Sequence, residues 1–264
     1  MPCSTRLNRR TTRMLPDRPV LRRSELDALP AWIEAARTDG AIAFIDKAEE
    51  WTSFDVVAKL RSLIRVKRVG HAGTLDPLAT GLLVVCCGRA TKDIAQIQDA
   101  DKEYVVTVRF GATTETDDRG SAEQIRTNDV HIDRDVLEKI ISERFLGSIT
   151  QIPPSYAAIR HNGRRQYDLA REGKEFVPRP RHVDVFRINV DAIHGQNVTM
   201  TIACSKGTYI RSLARDIGEA LGYGGYVWDL RRTKIGDINV DDAVTIQDVI
   251  SRVQQQQSDN GVAA

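Results

Sequence analysis

The order of apolar and polar positions along the chain predicts a mixture of strands and helices. Continuously apolar or alternating runs indicate strands at 41–45, 82–87, 103–110, 182–190, 198–204 and 226–236. Apolar positions three and four residues apart indicate helices at 52–66, 134–145, 209–221 and 245–253, with a short one around 167–171. Because strands and helices do not alternate strictly, the pattern predicts a mixed-sheet α/β or α+β domain.

The chain carries no internal repeat and no linker that would divide it into two independent domains. We predict a basic N-terminal extension over 1–38, partly disordered, with order beginning near Leu26. One domain follows over 39–253, and a low-complexity, disordered tail covers 254–264. Residues 1–23 hold seven arginines and one acid, a composition that fits a disordered basic arm or, alternatively, a mitochondrial transit peptide.

Composition narrows the function classes. With 41% hydrophobic and 28% charged residues the chain is typical of soluble globular proteins, and its apolar runs fall far short of a membrane span. The net charge of +2 means that a nucleic-acid site has to come from local clustering of cations. Four cysteines without C-x-x-C spacing predict a reduced, cytoplasmic compartment, and five scattered histidines predict no metal site.

One acid stands out in a basic stretch. Within 56–92 the only acid is Asp76, against seven basic residues, and it lies in the glycine-punctuated loop "RVGHAGTLDPLATGLL" (68–83). A carboxylate on a bent loop between a helix and a buried strand suits a nucleophile, although Asp-Pro is also an ordinary turn initiator. The surrounding cations predict a lowered pKa for Asp76, so that the group is ionised at neutral pH.

A second candidate is Arg211, on the first turn of the helix in "SKGTYIRSLARD" (205–216). An arginine there could fork onto a carboxylate, or it could be a solvated helix residue. Basic residues also interleave with aromatics and glycines at 160–182 and 206–234. These stretches are candidate tracks for RNA phosphates with stacking groups between them, or else charged solvated faces.

Several ordered blocks resemble one family. "VGHAGTLDPLATGLL" is similar to the signature of the TruB family of tRNA pseudouridine synthases. Further blocks, in the family order, extend from about residue 40 to 248: "WTSFDVV", "DKEYVVTVRFGATTETDD", "QIPPSYAAIRHNGRRQYDLAREG", "CSKGTYIRSLARDIGEALG" and "LRRTKIGDINVDDA". The resemblance implies the α+β (mixed α/β) pseudouridine synthase fold, with a central mixed, largely antiparallel sheet flanked by helices and loops.

The resemblance also assigns roles to single residues. It implies that Asp76 is the catalytic nucleophile and that Arg211 is its arginine partner. It implies four substrate-binding residues, each with a structural alternative: His71 as a loop hydrogen-bonding residue, Tyr104 and Leu230 as core residues, and Tyr209 as a helix-start residue. The implied reaction isomerises the T-arm uridine (U55) of tRNA by base flipping and covalent catalysis, without a cofactor or metal; attack at C1′ or at C6 is left open.

Two departures from the family pattern affect the expected activity. Where the family commonly has K-P-x-G, this chain has "KAEE", so that Ala48 and Glu50 replace proline and glycine. This change favours the alternative of a non-catalytic RNA-binding or tRNA-folding protein on the same fold. A carboxylate-dependent glycosidase is a third class, but no second acid lies in the Asp76 segment. We also expect no C-terminal PUA domain and a monomer, so that tRNA binding rests on the catalytic domain alone.

Overall fold

The computed structural model of the protein describes residues 15–156, 160–161, 164–165 and 179–262. The first strands are β1 (Val20–Leu21), β2 (Ala41–Lys47), β3 (Val69–His71), β4 (Thr80–Cys87), β5 (Lys102–Phe110), β6 (Ala112–Thr113) and β7 (Gln124–Ile125). The later ones are β8 (Gly147–Gln151), β9 (Arg160–His161), β10 (Arg164–Arg165), β11 (Arg181–His194), β12 (Asn197–Cys204), β13 (Gly225–Ile235) and β14 (Ile238–Asn239). The helices are α1 (Leu29–Thr38), α2 (Ser53–Ile64), α3 (Ile94–Gln98), α4 (Arg134–Arg144), α5 (Ile210–Leu221) and α6 (Ile246–Val262).

One large mixed sheet organises the described residues. Its order is β1-β2-β4-β13-β5-β12-β11-β8, with β3 also paired to β4 and β14 to β13. The β1–β2 and β4–β13 pairs are parallel, and the other pairs in this sheet are antiparallel. The predicted fold class, a mixed α/β domain around a largely antiparallel sheet, is therefore confirmed.

The two central strands follow from their sequence patterns. The continuously apolar run of β4 is buried along almost its whole length, as expected for a strand covered on both faces. In β5 the alternation is kept: Val106, Val108 and Phe110 are buried, while the residues between them are partly exposed. These strands bring the segment that follows β3 close to β13 and α5.

Helix α2 begins where the sequence predicts, and its start positions the loop before β4. Thr52 accepts a hydrogen bond from the backbone of Asp55, and Asp55 accepts one from the backbone of Thr52, which forms a capping box. The next residue, Ser53, is buried, and its Oγ accepts from Leu75 N at 2.9 Å and donates to Leu75 O at 3.2 Å. The helix N-terminus is thus joined to the residue before Asp76.

Both segments outside the predicted domain, 39–253, contain elements of regular structure. Strand β1 extends the large sheet and α1 buries Leu29 and Trp32, whose indole Nε1 donates to Ile42 O at 2.9 Å. The ordered domain therefore includes residues before 39, because an aromatic side chain in this segment has a place in the core. At the other end, α6 continues to Val262, where a disordered tail is predicted from 254. The predicted short helix at 167–171 lies outside the described residues.

Candidate active site

The site is built around the loop that joins β3 to β4, residues 72–79, which we call the aspartate loop. A turn at its end is closed by Ala79 N, which donates to Asp76 O at 3.1 Å. Gly73 has a φ of +102°, a conformation that L side chains rarely adopt, so glycine suits the sharp bend here. The Asp76 side chain thereby points toward α5, where Arg211 donates a hydrogen bond to its Oδ1.

Two buried cations, Lys47 and Arg232, each 1% exposed, donate hydrogen bonds to the backbone of the aspartate loop. Lys47 Nζ donates to Pro77 O at 3.1 Å and to two other carbonyls of its own loop. Arg232 donates to Gly73 O at 3.1 Å and Thr74 O at 3.4 Å. Burial lowers the pKa of Lys47 to about 8, against the opposing effect of the Asp76 carboxylate. The loop is therefore fixed by buried charge-assisted hydrogen bonds to its backbone.

Arg211 forms a forked pair with Asp76. Its Nη2 donates to Asp76 Oδ1 at 3.2 Å, and its Nε lies 3.0 Å from Asp76 Oδ2. The guanidinium is itself held: Nη1 donates to Thr116 O at 2.9 Å, Nη2 donates to Tyr156 O at 3.0 Å, and Asp118 Oδ2 lies 3.7 Å from Nη1. The arginine is only 5% exposed, so the alternative of a solvated helix residue is wrong.

The pKa of Asp76 is raised, which corrects the predicted direction. Burial at the base of the cleft is the largest cause; Arg211 lowers the pKa, and the like charge of Asp118 raises it again. The side chain is 37% exposed where it lines the cleft, and the protein around the rest of it disfavours the charged form. The prediction failed because exposed cations earlier in the segment, such as Arg61 and Lys67, lie on an outer surface instead of beside Asp76.

Five of the six residues singled out in the sequence line one cleft of about 840 Å³: Asp76, Tyr104, Tyr209, Arg211 and Leu230. They come from the aspartate loop, β5, β13 and the start of α5, which the sheet order brings together. The Tyr209 backbone is fixed by Gln151, whose side chain accepts from Tyr209 N at 2.8 Å and donates to Tyr209 O at 3.0 Å. The two tyrosines and the leucine are partly exposed, so their apolar surfaces are open to a ligand.

His71 is the sixth residue, and it does not line that cleft. It is the last residue of β3 and pairs with Val85. Its ring is partly buried, and burial, followed by the charge of Arg232, lowers its pKa. The imidazole is therefore neutral at pH 7 and stands at the start of the aspartate loop, outside the cleft itself.

Several residues of the site were missed in the sequence. The polar segment 113–133 supplies Asp118 and also Asp117, whose Oδ2 lies 2.8 Å from Arg215 Nη1. Lys47 and Arg232 were missed as well, because a lysine or arginine beside a strand is normally solvated. The signal in the sequence was the acid-rich run "TETDD" (114–118), because acids concentrated in one loop indicate a cationic partner.

The described residues contain no group of three or more His, Cys, Asp or Glu side chains placed to bind a metal ion. Nor does any helix among them have the length and apolar character needed to cross a membrane. The chemistry that the described part of the cleft offers is that of a carboxylate held by a guanidinium, with aromatic and apolar side chains around it.

The "KAEE" loop contains a strained residue. Glu50 has a φ of 66°, and its N–H donates to Pro77 O at 2.9 Å, so the unusual backbone is coupled to the aspartate loop. The left-handed conformation costs an L residue about 1–2 kcal/mol, and glycine avoids this cost. Glu50 thus adopts, at the position where the resemblance implies a glycine, a conformation that glycine would adopt without strain.

We expect Glu50→Gly to stabilise the protein. Relief of strain, less the extra chain entropy of glycine, leaves about 0.5–1 kcal/mol, or a rise of roughly 2 °C in melting temperature for a domain of this size. Calorimetry of wild type, Glu50→Gly and the control Glu50→Ala measures the effect. The alanine variant keeps the strained backbone and should show no gain; a Glu50→Gly protein that melts below wild type would contradict the strain argument.

Two family models match consecutive parts of the chain. The TruB family pseudouridylate synthase N-terminal domain matches residues 61–210, and the tRNA pseudouridylate synthase B C-terminal domain matches residues 211–262. The tRNA pseudouridine synthase B of Clostridium kluyveri is 44% identical over 77% of this chain and 70% of its own length. That of Phocaeicola vulgatus is 40% identical over 83% of this chain and 95% of its own length.

Solved structures agree with these matches. A chain of a Cbf5–Nop10–Gar1 complex is 29% identical with a TM-score of 0.67, and a chain of an H/ACA RNP bound to a substrate RNA containing 2′-deoxyuridine is 27% identical with a TM-score of 0.65. Each match covers 86% of this chain, but only 58% and 57% of the solved chains.

The fold and the matched families define the class of protein, an isomerase of the pseudouridylate synthase type. The chain belongs to the TruB family of pseudouridylate synthases.

Proposed function

We propose that the protein converts the T-arm uridine of tRNA (U55) to pseudouridine, with Asp76 as the nucleophile. Support for the tRNA substrate comes from relatives that are named tRNA pseudouridine synthase B. The observation that carries the mechanism is the Asp76–Arg211 pair at the cleft, because it fixes one carboxylate in position.

In this mechanism the carboxylate makes a transient covalent bond to the uridine, at C1′ or at C6. The N1–C1′ glycosidic bond breaks, the uracil turns within the cleft, and a C5–C1′ bond forms. The proton on C5 is then lost and N1 gains one, so that the product is an isomer of the substrate and no cofactor is consumed. Covalent catalysis divides one difficult rearrangement into two easier steps.

The other cleft residues have roles in holding the base. Tyr104 stacks on the flipped uracil, while Tyr209 and Leu230 form the walls of its pocket. Arg211 orients the Asp76 carboxylate and balances its charge. His71, at the edge of the aspartate loop and neutral, enters the RNA loop and takes the place of the extruded base. Extrusion of the base costs a few kcal/mol. Contacts of the protein with the flipped uracil and with the position it vacates offset this cost.

The proposal is tested by base-resolved modification mapping of tRNA from a deletion strain complemented with this protein. We expect pseudouridine at the T-arm uridine with wild type and none with Asp76→Asn. The "KAEE" loop favours the second candidate, a non-catalytic tRNA-folding protein, and unmodified tRNA from the wild-type complement would support it. Release of free uracil would instead support glycosidase chemistry, for which Asp118 is the second acid near Asp76.

The rate should depend on pH through Asp76. The reaction needs the carboxylate, so the rate falls as the pH drops through the pKa of Asp76 in the folded protein. Because burial raises that pKa, the midpoint of the acid limb should lie above the ordinary aspartate value of 3.8. Single-turnover rates on a T-arm hairpin measure it, and binding of Asp76→Asn at each pH controls for changes in the RNA. A midpoint at or below the ordinary value would contradict the burial argument.

A further inference from the structure

The proposed mechanism gives no role to the cations that surround Asp76 in the sequence. Five of them form what we call the basic ridge, on the exposed side of α2 and the turn that follows it: Lys59, Arg61, Arg65, Lys67 and Arg68. All five are exposed, and none forms an ion pair with another residue in the part of the chain that the structure describes. Uncompensated like charges on one surface repel each other, and a polyanion relieves that repulsion.

Nearby acids do not neutralise the ridge. Asp55 lies one turn before Lys59 on α2, but its carboxylate accepts hydrogen bonds from Thr52 and forms no ion pair with that lysine. Asp39 lies 3.8 Å from Arg89, which is outside the ridge. The net charge of the whole chain is only +2, so this surface carries a local excess of positive charge against an otherwise balanced chain.

The ridge leads away from the active site. Helix α2 begins at Ser53, which is hydrogen-bonded to the residue before Asp76, and its 12 residues span about 18 Å. Phe54, 66% exposed at the active-site end, lies on the same helical stripe as Arg61 and Arg65. An exposed aromatic near the site followed by arginines is a pattern typical of nucleic-acid surfaces.

We propose that the basic ridge binds the phosphate backbone of the RNA stem that carries the target loop. This inference rests on the proposed function, and it adds a second contact to the cleft. A uridine that reaches Asp76 leaves its stem outside the cleft, and α2 presents exposed cations along a surface that starts beside the aspartate loop and extends about 18 Å from it. Contacts of this kind fix the position of the RNA and contribute affinity without reading its sequence.

The test compares two variants that each remove two positive charges. Arg61→Gln/Lys67→Gln changes the ridge, and Lys139→Gln/Arg144→Gln, on exposed positions of α4, is the matched control. Arg65 is left unchanged because it ends α2 in the left-handed conformation. Binding is measured between 50 and 200 mM KCl on two hairpins, one with a stem just long enough to close the T-loop and one extended by a further turn of duplex.

For the ridge variant on the long hairpin, we expect the slope of log K against log salt to fall by roughly 1.8, which reduces the affinity change over this salt range about tenfold relative to wild type. The short hairpin and the control variant should behave as wild type. Equal effects of the two variants, or equal losses on both hairpins, would overturn the proposal. Pseudouridine formation by wild type on the short hairpin reports separately on the proposed function, because it does not depend on the ridge.

Discussion

Replacing Asp76 with asparagine is expected to lower pseudouridine formation by about 10⁴-fold or more, while RNA binding stays within a few-fold of wild type. An amide has nearly the shape of a carboxylate but cannot form the covalent intermediate, and removal of a nucleophile typically costs this much in rate. Arg211 keeps its hydrogen bonds to Thr116 and Tyr156, so the cleft should persist. Single-turnover kinetics and binding of the same T-arm hairpin measure both quantities.

The matched control for this variant is Asp117→Asn. Asp117 is a neighbouring buried acid that pairs with Arg215, and the mechanism gives it no contact with the substrate. It should retain most of the rate. A loss in Asp117→Asn as large as that in Asp76→Asn would point to general damage to the site, and full activity in Asp76→Asn would remove this residue from the mechanism.

Arg211→Lys is expected to give the second largest loss, about 10²–10³-fold in rate, although the charge is kept. The Arg211 guanidinium donates from Nη2 to Asp76 Oδ1 and from Nη1 to Thr116 O, and its Nε lies 3.0 Å from Asp76 Oδ2, whereas an ammonium is a point charge on a shorter stem. The loss should appear in the single-turnover rate more than in RNA affinity, because Arg211 orients the nucleophile.

The comparison variant is Arg215→Lys, one turn after Arg211 on the same helix. Arg215 pairs with Asp117 and Asp216 instead of Asp76. We expect it to be nearly as active as wild type. If Arg211→Lys turned over at the wild-type rate, the forked contact would have no part in catalysis, whatever its geometry.

The sequence predicts the fold well where one physical signal dominates. The apolar run of β4, the alternation in β5 and the apolar spacing in α2 each determine an element locally, and each element was placed within one or two residues. Regular structure outside 39–253 has a different origin. Trp32 and the last turns of α6 acquire their structure from packing and helix continuation, which a composition of arginines or glutamines does not reveal.

For the site too, the features with a local signal were predicted, and the effects of distant segments were not. Asp76 and Arg211 were singled out from local features and from resemblance, and the fold brings them within 3.0 Å. The pKa of Asp76 was predicted in the wrong direction because neighbours in sequence were taken as neighbours in space. Burial, which is the largest cause of the raised pKa, and the charge of Asp118 both come from distant segments, so their effect depends on how the sheet brings those segments together.

The most direct test of the central claim uses a T-arm hairpin with tritium at C5 of the target uridine only. Formation of the C5–C1′ bond must expel that hydrogen, so wild-type protein should release one tritium per RNA in a single turnover, and Asp76→Asn should release none. Tritium release by the asparagine variant at the wild-type rate, or no release by wild type bound to the same RNA, would contradict the account.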